Sequence, residues 1–314
     1  DEIIDKFGDE VTDLVDGVSK LSGIKFSSRV EKQAENFMKM FLSIAKDLRV
    51  IIIKFADRLH NMHTIEYLPL IKQRRIAIET RDVYAPLAHR LGMNRLKMEL
   101  EDLVLKTLEP DKYRDLQKKI KASRKQREKY IDQFSNPIAD ELKEFNISAE
   151  IKGRAKHYYS IYGKMKKRNK VFEDLFDLFA IRIIVEKIEE CYAVLGVIHQ
   201  LYTPLQERFK DYIATPKSNG YQSIHTTVFG QKGKMVEVQI RTQSMDQTAE
   251  IGVAAHWVYK EEESSKAEDS NINRHIRWLR ELVDVLQSEE SDPDEFLKLL
   301  KVDLFKNEIF VFTP

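Results

Sequence analysis

Side chains suited to phosphate chemistry gather in one stretch of this 314-residue chain, 208–225. Arg208, Lys210 and Lys217 stand there among Pro216, Asn219 and Gly220, with Tyr221 and His225 close behind and no helical periodicity. Pro, Asn and Gly set turn dihedrals. The stretch therefore reads as a loop whose cations can meet phosphates while Tyr221 stacks on a base. An exposed loop with solvated charges is the competing reading.

Three further groups share this chemistry. A helix starting near Lys156 puts Lys156, Ser160 and Lys164 on one face, with Arg154 just ahead. Cations near a helix N-terminus suit a triphosphate, although a solvated basic helix has the same spacing. The strand-like run Val236, Glu237, Val238, Gln239, Ile240, Arg241 alternates, so the three apolar residues face a core and Glu237, Gln239 and Arg241 share the other side. The run 174–185 reads as a buried interior strand entered past Asp177 and carrying Arg182. Regular alternation would put those two on opposite faces, and a strand-start cap is the plain role for Asp177. Near the other end, Asp57, Asn61 and Thr64 are spaced to share a helix face, where a carboxylate one turn from an amide suits a metal ligand beside a nucleotide contact. A solvated helix face has the same spacing.

The elements that must position these groups differ between the two halves. From residue 31 to about 68 the spacing is helical with no Gly or Pro, predicting one or two long helices. The piece 84–92 reads as a packing helix stopped by Gly92. Residues 99–143 are helical and highly charged, broken by Pro110 and Pro137, and the basic run 117–129 reads as a solvated, salt-bridged face because Glu and Asp are interleaved. From 147 short β-rich runs alternate with helices, giving an α/β domain. Residues 261–273 read as a charged linker, followed by a helix carrying Ile276, Leu279, Leu282, Val283 and Leu286.

Composition narrows the classes. Lys plus Arg total 52 against 51 Asp plus Glu, so the chain lacks the global excess of charge typical of nucleic-acid binders. The lone cysteine, Cys191, allows no internal disulfide and reads as a small buried apolar residue in a reducing compartment. No apolar run approaches the roughly 18 residues of a membrane span. The expectation is a soluble cytoplasmic protein.

The words of the sequence go further. The run 217–225 (Lys-Ser-Asn-Gly-Tyr-Gln-Ser-Ile-His), then 237–242 and the Gly-Val-Ala-Ala-His-Trp of 252–257, resemble the synthetase domain of Rel/SpoT enzymes, the stringent-response proteins that make and degrade (p)ppGpp. Arg154, Lys156, Ser160 and Lys164 match its ATP motif, with Gly163 a departure. The segment 57–62 (Asp-Arg-Leu-His-Asn-Met) resembles the last motif of the family's HD-type hydrolase domain. The resemblance implies an α+β multidomain chain: a partial all-α HD-type hydrolase over 1–105, a helical connector over 106–145, and an α/β nucleotidyltransferase-like synthetase with a mixed sheet over 146–260. A linker and helix over 261–302 and the start of a TGS domain over 303–314 would follow.

By resemblance the reaction is transfer of the β,γ-pyrophosphate of ATP to the 3′-hydroxyl of GDP or GTP, releasing AMP. Asp177 and Glu237 would be catalytic and hold Mg²⁺. Arg154, Lys156, Ser160, Lys164, Arg182 and Arg241 would bind ATP, while Arg208, Lys210, Lys217, Asn219, Tyr221, His225 and His256 would serve the guanine nucleotide. Asp57 would be a Mn²⁺ ligand, with Asn61 and Thr64 touching nucleotide, and His60 and His63 structural. The family's remaining hydrolase ligands precede the segment resembling 1–22, so the chain is expected to be cut at both ends and its hydrolase site incomplete. Arg208-Phe209-Lys210-Asp211 matches the pattern of dual-activity members, implying a parent that also hydrolyses (p)ppGpp. ATP, GDP or GTP and (p)ppGpp are then the ligands, with no membrane, no strong nucleic-acid binding, and ribosome contact only through further C-terminal domains. Two readings stay beside this one: another nucleotidyltransferase, and a nucleotide-binding regulatory module without turnover.

Overall fold

A computed structural model describes residues 2–19, 29–154, 156–169, 172 and 179–252. Asp177, His256, the expected linker with its helix, and the expected TGS strand lie outside the described residues. The described residues fall into two compact units, one up to Leu91 and one from Gly92 onward.

The described residues of the first unit are helical. They comprise α1 (Glu2–Val18, bent at Gly8), α2 (Arg29–Lys46), α3 (Arg49–His63), α4 (Leu70–Glu79) and α5 (Ala85–Arg90), the last two joined by a π-helical turn over Thr80–Tyr84. The two long helices expected over 31–68 are α2 and α3. Phe37, Phe41 and Ile44 of α2 and Ile51, Phe55 and Met62 of α3 are buried. Phe55 and Phe37 both set their rings against Tyr84, at 6.4 and 6.3 Å between centroids.

The second unit begins with α6 (Asn94–Leu108), α7 (Pro110–Ala122) and α8 (Arg124–Glu144), so these helices belong with the sheet that follows. The stretch 106–145 is helical, as expected of the connector. Pro110 opens α7, where its missing N–H costs nothing. Pro137 does not break the chain as expected but sits inside α8 on its exposed side.

The sheet contains β1 (Glu150–Gly153), β2 (Phe179–Val185), β3 (Lys210–Asp211), β4 (Ile224–Phe229) and β5 (Met235–Thr242) in the order β1-β2-β5-β4-β3. Only β2 and β5 pair in parallel; the remaining pairs are antiparallel, so the sheet is mixed. Helices α9 (Tyr158–Arg168), α10 (Ile188–Leu201) and α11 (Gln243–Ile251) follow β1, β2 and β5.

One face of the sheet makes the core. Ile181, Ile183 and Val185 of β2 join Val236, Val238 and Ile240 of β5 against Val194 and Ile198 of α10 and Phe134 and Ile138 of α8. Cys191 lies in this cluster, fully buried, its thiol pushed up to about 12 by burial and by Glu190 and Asp211. It is the packed apolar residue that the sequence suggested. Every second residue of β2 and β5 is therefore delivered to the opposite face, which is where the chemistry collects.

Candidate active site on the polar face of the sheet

Strand register brings the expected residues into rows. Lys152 of β1 pairs with Arg182 of β2, Arg182 with Gln239 of β5, Gln239 with His225 of β4, and His225 with Lys210 of β3. Paired residues project to the same side. The polar row crosses the whole sheet, and Glu237 lies in the next row between Ala180 and Thr227.

Glu237 is the focus of the charge. Its Oε1 lies 3.4 Å from Nη1 of Arg154 and its Oε2 lies 3.2 Å from Nζ of Lys156, while Gln239 donates from Nε2 to Oε1 at 3.0 Å. Arg154 and Lys156 reach it from the segment between β1 and α9; the Arg154 amide bonds to the Ala180 carbonyl at 2.8 Å, extending the sheet by one residue. Only 7% of the Lys156 side chain is exposed. Burial pushes the Glu237 carboxyl up, but Lys156, Arg154 and His225 outweigh it, leaving it below the ordinary carboxylate value of 4.5. The carboxylate is thus ionised and held.

Beyond Glu237 lies an aromatic group built by the 208–225 stretch. Gly220 adopts φ +72°, and its amide bonds to the Lys217 carbonyl at 2.9 Å, closing the turn. The Asn219 side chain caps the Tyr221 amide. The Tyr221 hydroxyl and His225 Nε2 are 2.8 Å apart, and Tyr212 meets the His225 ring edge-on at 5.3 Å. Lys217 Nζ sits 4.6 Å from the Tyr212 ring centre and 5.2 Å from that of Tyr221. Burial, helped by Lys210 and Lys97, pulls the Lys217 ammonium down. His225 is pulled down to about 4, by burial first and by Lys217, Arg154 and Arg241 against the opposing pull of Glu237. It is a neutral ring at neutral pH.

Arg241 is 1% exposed and lies under Tyr221, its guanidinium carbon 5.9 Å from the ring centre. Its Nε bonds Asp246 at 2.7 Å, and Arg182 Nη1 reaches Asp246 at 3.1 Å and Glu250 at 2.9 Å. Asp246 and Glu250 are one turn apart on α11, so two carboxylates hold two arginines.

The remaining expected residues are placed as follows. Ser160 and Lys164 lie one turn apart on α9, which starts at Tyr158, so Lys156 precedes the helix rather than opening it. Arg208 ends the short turn Gln206–Arg208, and Lys210 sits on the edge strand beside His225. In the first unit Asn61 donates to Asp57 at 3.1 Å, so these two share a face of α3, while Thr64 caps the end of the helix and its hydroxyl donates to the His60 carbonyl at 2.9 Å. Among the described residues no three His, Cys, Asp or Glu side chains stand close enough to share a metal ion. Asp57, Asn61 and Thr64 do not by themselves assemble a hydrolytic centre.

Sequence reading missed Tyr212, Lys97, Asp246 and Glu250. The last pair had a signal, an acidic i,i+4 couple following the arginine strand. Lys97 had none, because α6 comes to the site through tertiary packing; its Asn94 donates to the Ala249 carbonyl at 2.8 Å.

Residues 153–264 match a family model described as a region found in RelA / SpoT proteins, and residues 1–94 match an HD domain. The chain belongs to the RelA/SpoT family. Over 310 residues it is 49% identical to the bifunctional (p)ppGpp synthase/hydrolase SpoT of Escherichia coli K12, covering 98% of this chain and 43% of that protein. It is likewise 49% identical to a probable guanosine-3′,5′-bis(diphosphate) 3′-pyrophosphohydrolase of Synechocystis, covering 98% and 41%. A GTP pyrophosphokinase of Myxococcus xanthus is 48% identical over 317 residues, covering 100% and 41%. The RelA/SpoT chain thus spans less than half the length of these relatives. Its order of parts is that of the family: a helical HD-type region, then a synthetase domain with a mixed sheet. No helix among the described residues is long and apolar enough to cross a membrane.

Proposed function

We propose that the second unit is a (p)ppGpp synthetase, a GTP/GDP pyrophosphokinase. It transfers the β,γ-pyrophosphate of ATP to the ribose 3′-hydroxyl of GDP or GTP and releases AMP. The observation that carries this reading is the ionised Glu237, clamped by Arg154 and Lys156 on the face that also presents Tyr221 and His225.

In this account the 3′-oxygen attacks the β-phosphorus of ATP, the bond from that phosphorus to the α,β-bridging oxygen breaks, and AMP carries the electrons away. The 3′-hydroxyl proton passes to Glu237. A carboxylate held low by two cations is a poor base but a good hydrogen-bond acceptor, so Glu237 first orients the hydroxyl. Entering phosphates compete for Arg154 and Lys156. As these cations turn toward ATP, the carboxylate loses the charge that held it down and becomes a stronger base at the moment the nucleophile needs one. Lys164 and Ser160 on α9, with Arg182, complete the ATP side, and Arg241, buried beneath Tyr221 and sharing Asp246 with Arg182, adds positive charge from behind. Tyr221 stacks on guanine with its hydroxyl fixed by neutral His225, while Lys217, Lys210, Arg208 and Asn219 meet the acceptor nucleotide and His256 closes the phosphate side.

Relatives with synthetase and HD regions imply the use of divalent metal. For the synthetase we assign Mg²⁺ to Glu237 with Asp177, an oxygen donor set that this ion takes; bound there it would neutralise phosphate charge. Mn²⁺ at Asp57, with Asn61 and Thr64 on nucleotide, belongs to (p)ppGpp hydrolysis, a second proposed activity of the longer family members. The setting is the cytoplasm. Glu237→Gln and Asp177→Ala are expected to abolish (p)ppGpp formation while the melting profile stays that of a folded protein. Retained synthesis in either variant overturns the assignment.

A further inference from the structure

Lys118, Lys121 and Arg124 in the basic run 117–129 are exposed and Arg124 pairs with Glu128, the solvated, salt-bridged face that the sequence predicts, and part of that face also rims a concavity. With β1 and the start of α9, helices α7 and α8 enclose a pocket of about 750 Å³ lined by six basic side chains and one carboxylate, Glu128. Lys118 and Lys121 come from α7 and Arg124 from α8, while Arg154 and Lys156 form the wall shared with Glu237. Glu128 pairs with Arg124 at 2.7 Å, and Glu237 with Arg154 and Lys156, which leaves Lys118 and Lys121 as the lining charge that no carboxylate among the described residues matches. Arg127 of α8 reaches back to α7, donating to the Ile120 carbonyl at 2.9 Å, and acts as wall rather than ligand. Ile131, Ile161 and Tyr158 add an apolar side.

We propose that this pocket is a second anion site of the synthetase unit, taking the phosphate chain of an oligophosphate, free or carried by a nucleoside. Converging cations in a concavity repel one another until an anion fills it, and a chain of linked phosphates presents enough oxygens for cations on three elements. The volume lies within the roughly 300–1,000 Å³ of small-molecule sites. Arg154 and Lys156 face both the pocket and Glu237, so occupancy draws on the two cations assigned to ATP. A filled pocket therefore raises the KM for ATP. Only this kinetic consequence rests on the synthetase reading; binding at the pocket does not.

The test uses the whole chain, with inorganic tripolyphosphate as probe and Lys121→Glu/Arg124→Glu as the variant, both substitutions lying outside the catalytic groups. Calorimetric titration is expected to show binding to the unmodified chain and at least about tenfold weaker binding to the variant, the result of reversing two charges. Without tripolyphosphate the variant should keep the normal KM for ATP, and with it the rise in KM seen in the unmodified chain should vanish. Tighter binding of UTP than of tripolyphosphate would show that the apolar side seats a base; equal binding would show that phosphates suffice. Equal affinity of both proteins for tripolyphosphate overturns the proposal. So does a variant whose KM for ATP is raised in the absence of tripolyphosphate, since the cations would then belong to the ATP site. Lys121→Gln/Arg124→Gln, with melting curves, guards against a variant that fails to fold. Loss of synthesis in the unmodified chain with tripolyphosphate binding intact would sink the synthetase reading alone.

Discussion

Replacing Lys156 by Met removes the cation that contributes most to holding Glu237 ionised. At 3.2 Å, with an effective dielectric near 20, the gross attraction between the two charges is about 5 kcal/mol. Stripping one partner from a buried pair costs roughly 3–5 kcal/mol when the other charge is left alone. Glu237 is not left alone, because Arg154 stays at 3.4 Å and Gln239 still donates at 3.0 Å. The expected loss of stability at neutral pH is therefore smaller, about 2 kcal/mol. The sign with pH follows from the depressed carboxyl. Its stabilisation is present above the ordinary value of 4.5 and is lost as pH falls through the lower folded value. The variant and the unmodified protein should thus differ at pH 7 and converge in acid. In kinetics, the acid limb of kcat/KM for ATP, which reports the free enzyme in which Lys156 still holds Glu237, should move to higher pH in Lys156→Met and return in Lys156→Arg. Denaturant melts across pH with pH–rate profiles make the assay. An unchanged acid limb together with unchanged stability at pH 7 would refute the argument that Lys156 sets the state of Glu237.

Other consequences are open to simpler measurements. A Cβ on Gly92, whose φ is +73°, would lie 3.2 Å from both the Asn219 carbonyl oxygen and the Gly252 Cα, so Gly92→Ala should lower stability by about 1–2 kcal/mol in a urea melt. Tyr221→Leu should raise the KM for GDP well above that for ATP in steady-state kinetics, since its ring is assigned to guanine; equal rises would count against that assignment. His225, at about 4 against an ordinary 6.5, binds its proton more readily in the unfolded chain. It should therefore cost stability as pH falls from 6.5 toward 4, by up to roughly 3 kcal/mol. His225→Asn should flatten the urea midpoint over that window.

The parts of this account that were legible in the sequence are those with a short period. Alternation in β5 separated Val236, Val238 and Ile240 from Glu237, Gln239 and Arg241, and helical spacing put Asp57 and Asn61 on one face of α3. Turn residues marked the 208–225 loop because Gly220 needs a positive φ. Long-range packing was not legible. Nothing local to Lys118, Lys121 or Arg124 says that this exposed face of α7 and α8 rims a concavity beside β1 and the start of α9. The same holds for the burial of Arg241, which depends on α11 returning Asp246 and Glu250 across the sheet. Pro137 read as a break because a helix-interior proline loses a hydrogen bond, yet on the exposed side of α8 water can take up the freed carbonyl.

The most direct test of the central claim is the fate of label when the chain is incubated with ATP radiolabelled at the β-phosphate, GDP and Mg²⁺. The account predicts that label moves to the 3′ position of a guanosine product in step with AMP, one for one, and that Glu237→Gln stops both. Release of ADP instead of AMP, or label transfer surviving in Glu237→Gln, would contradict it.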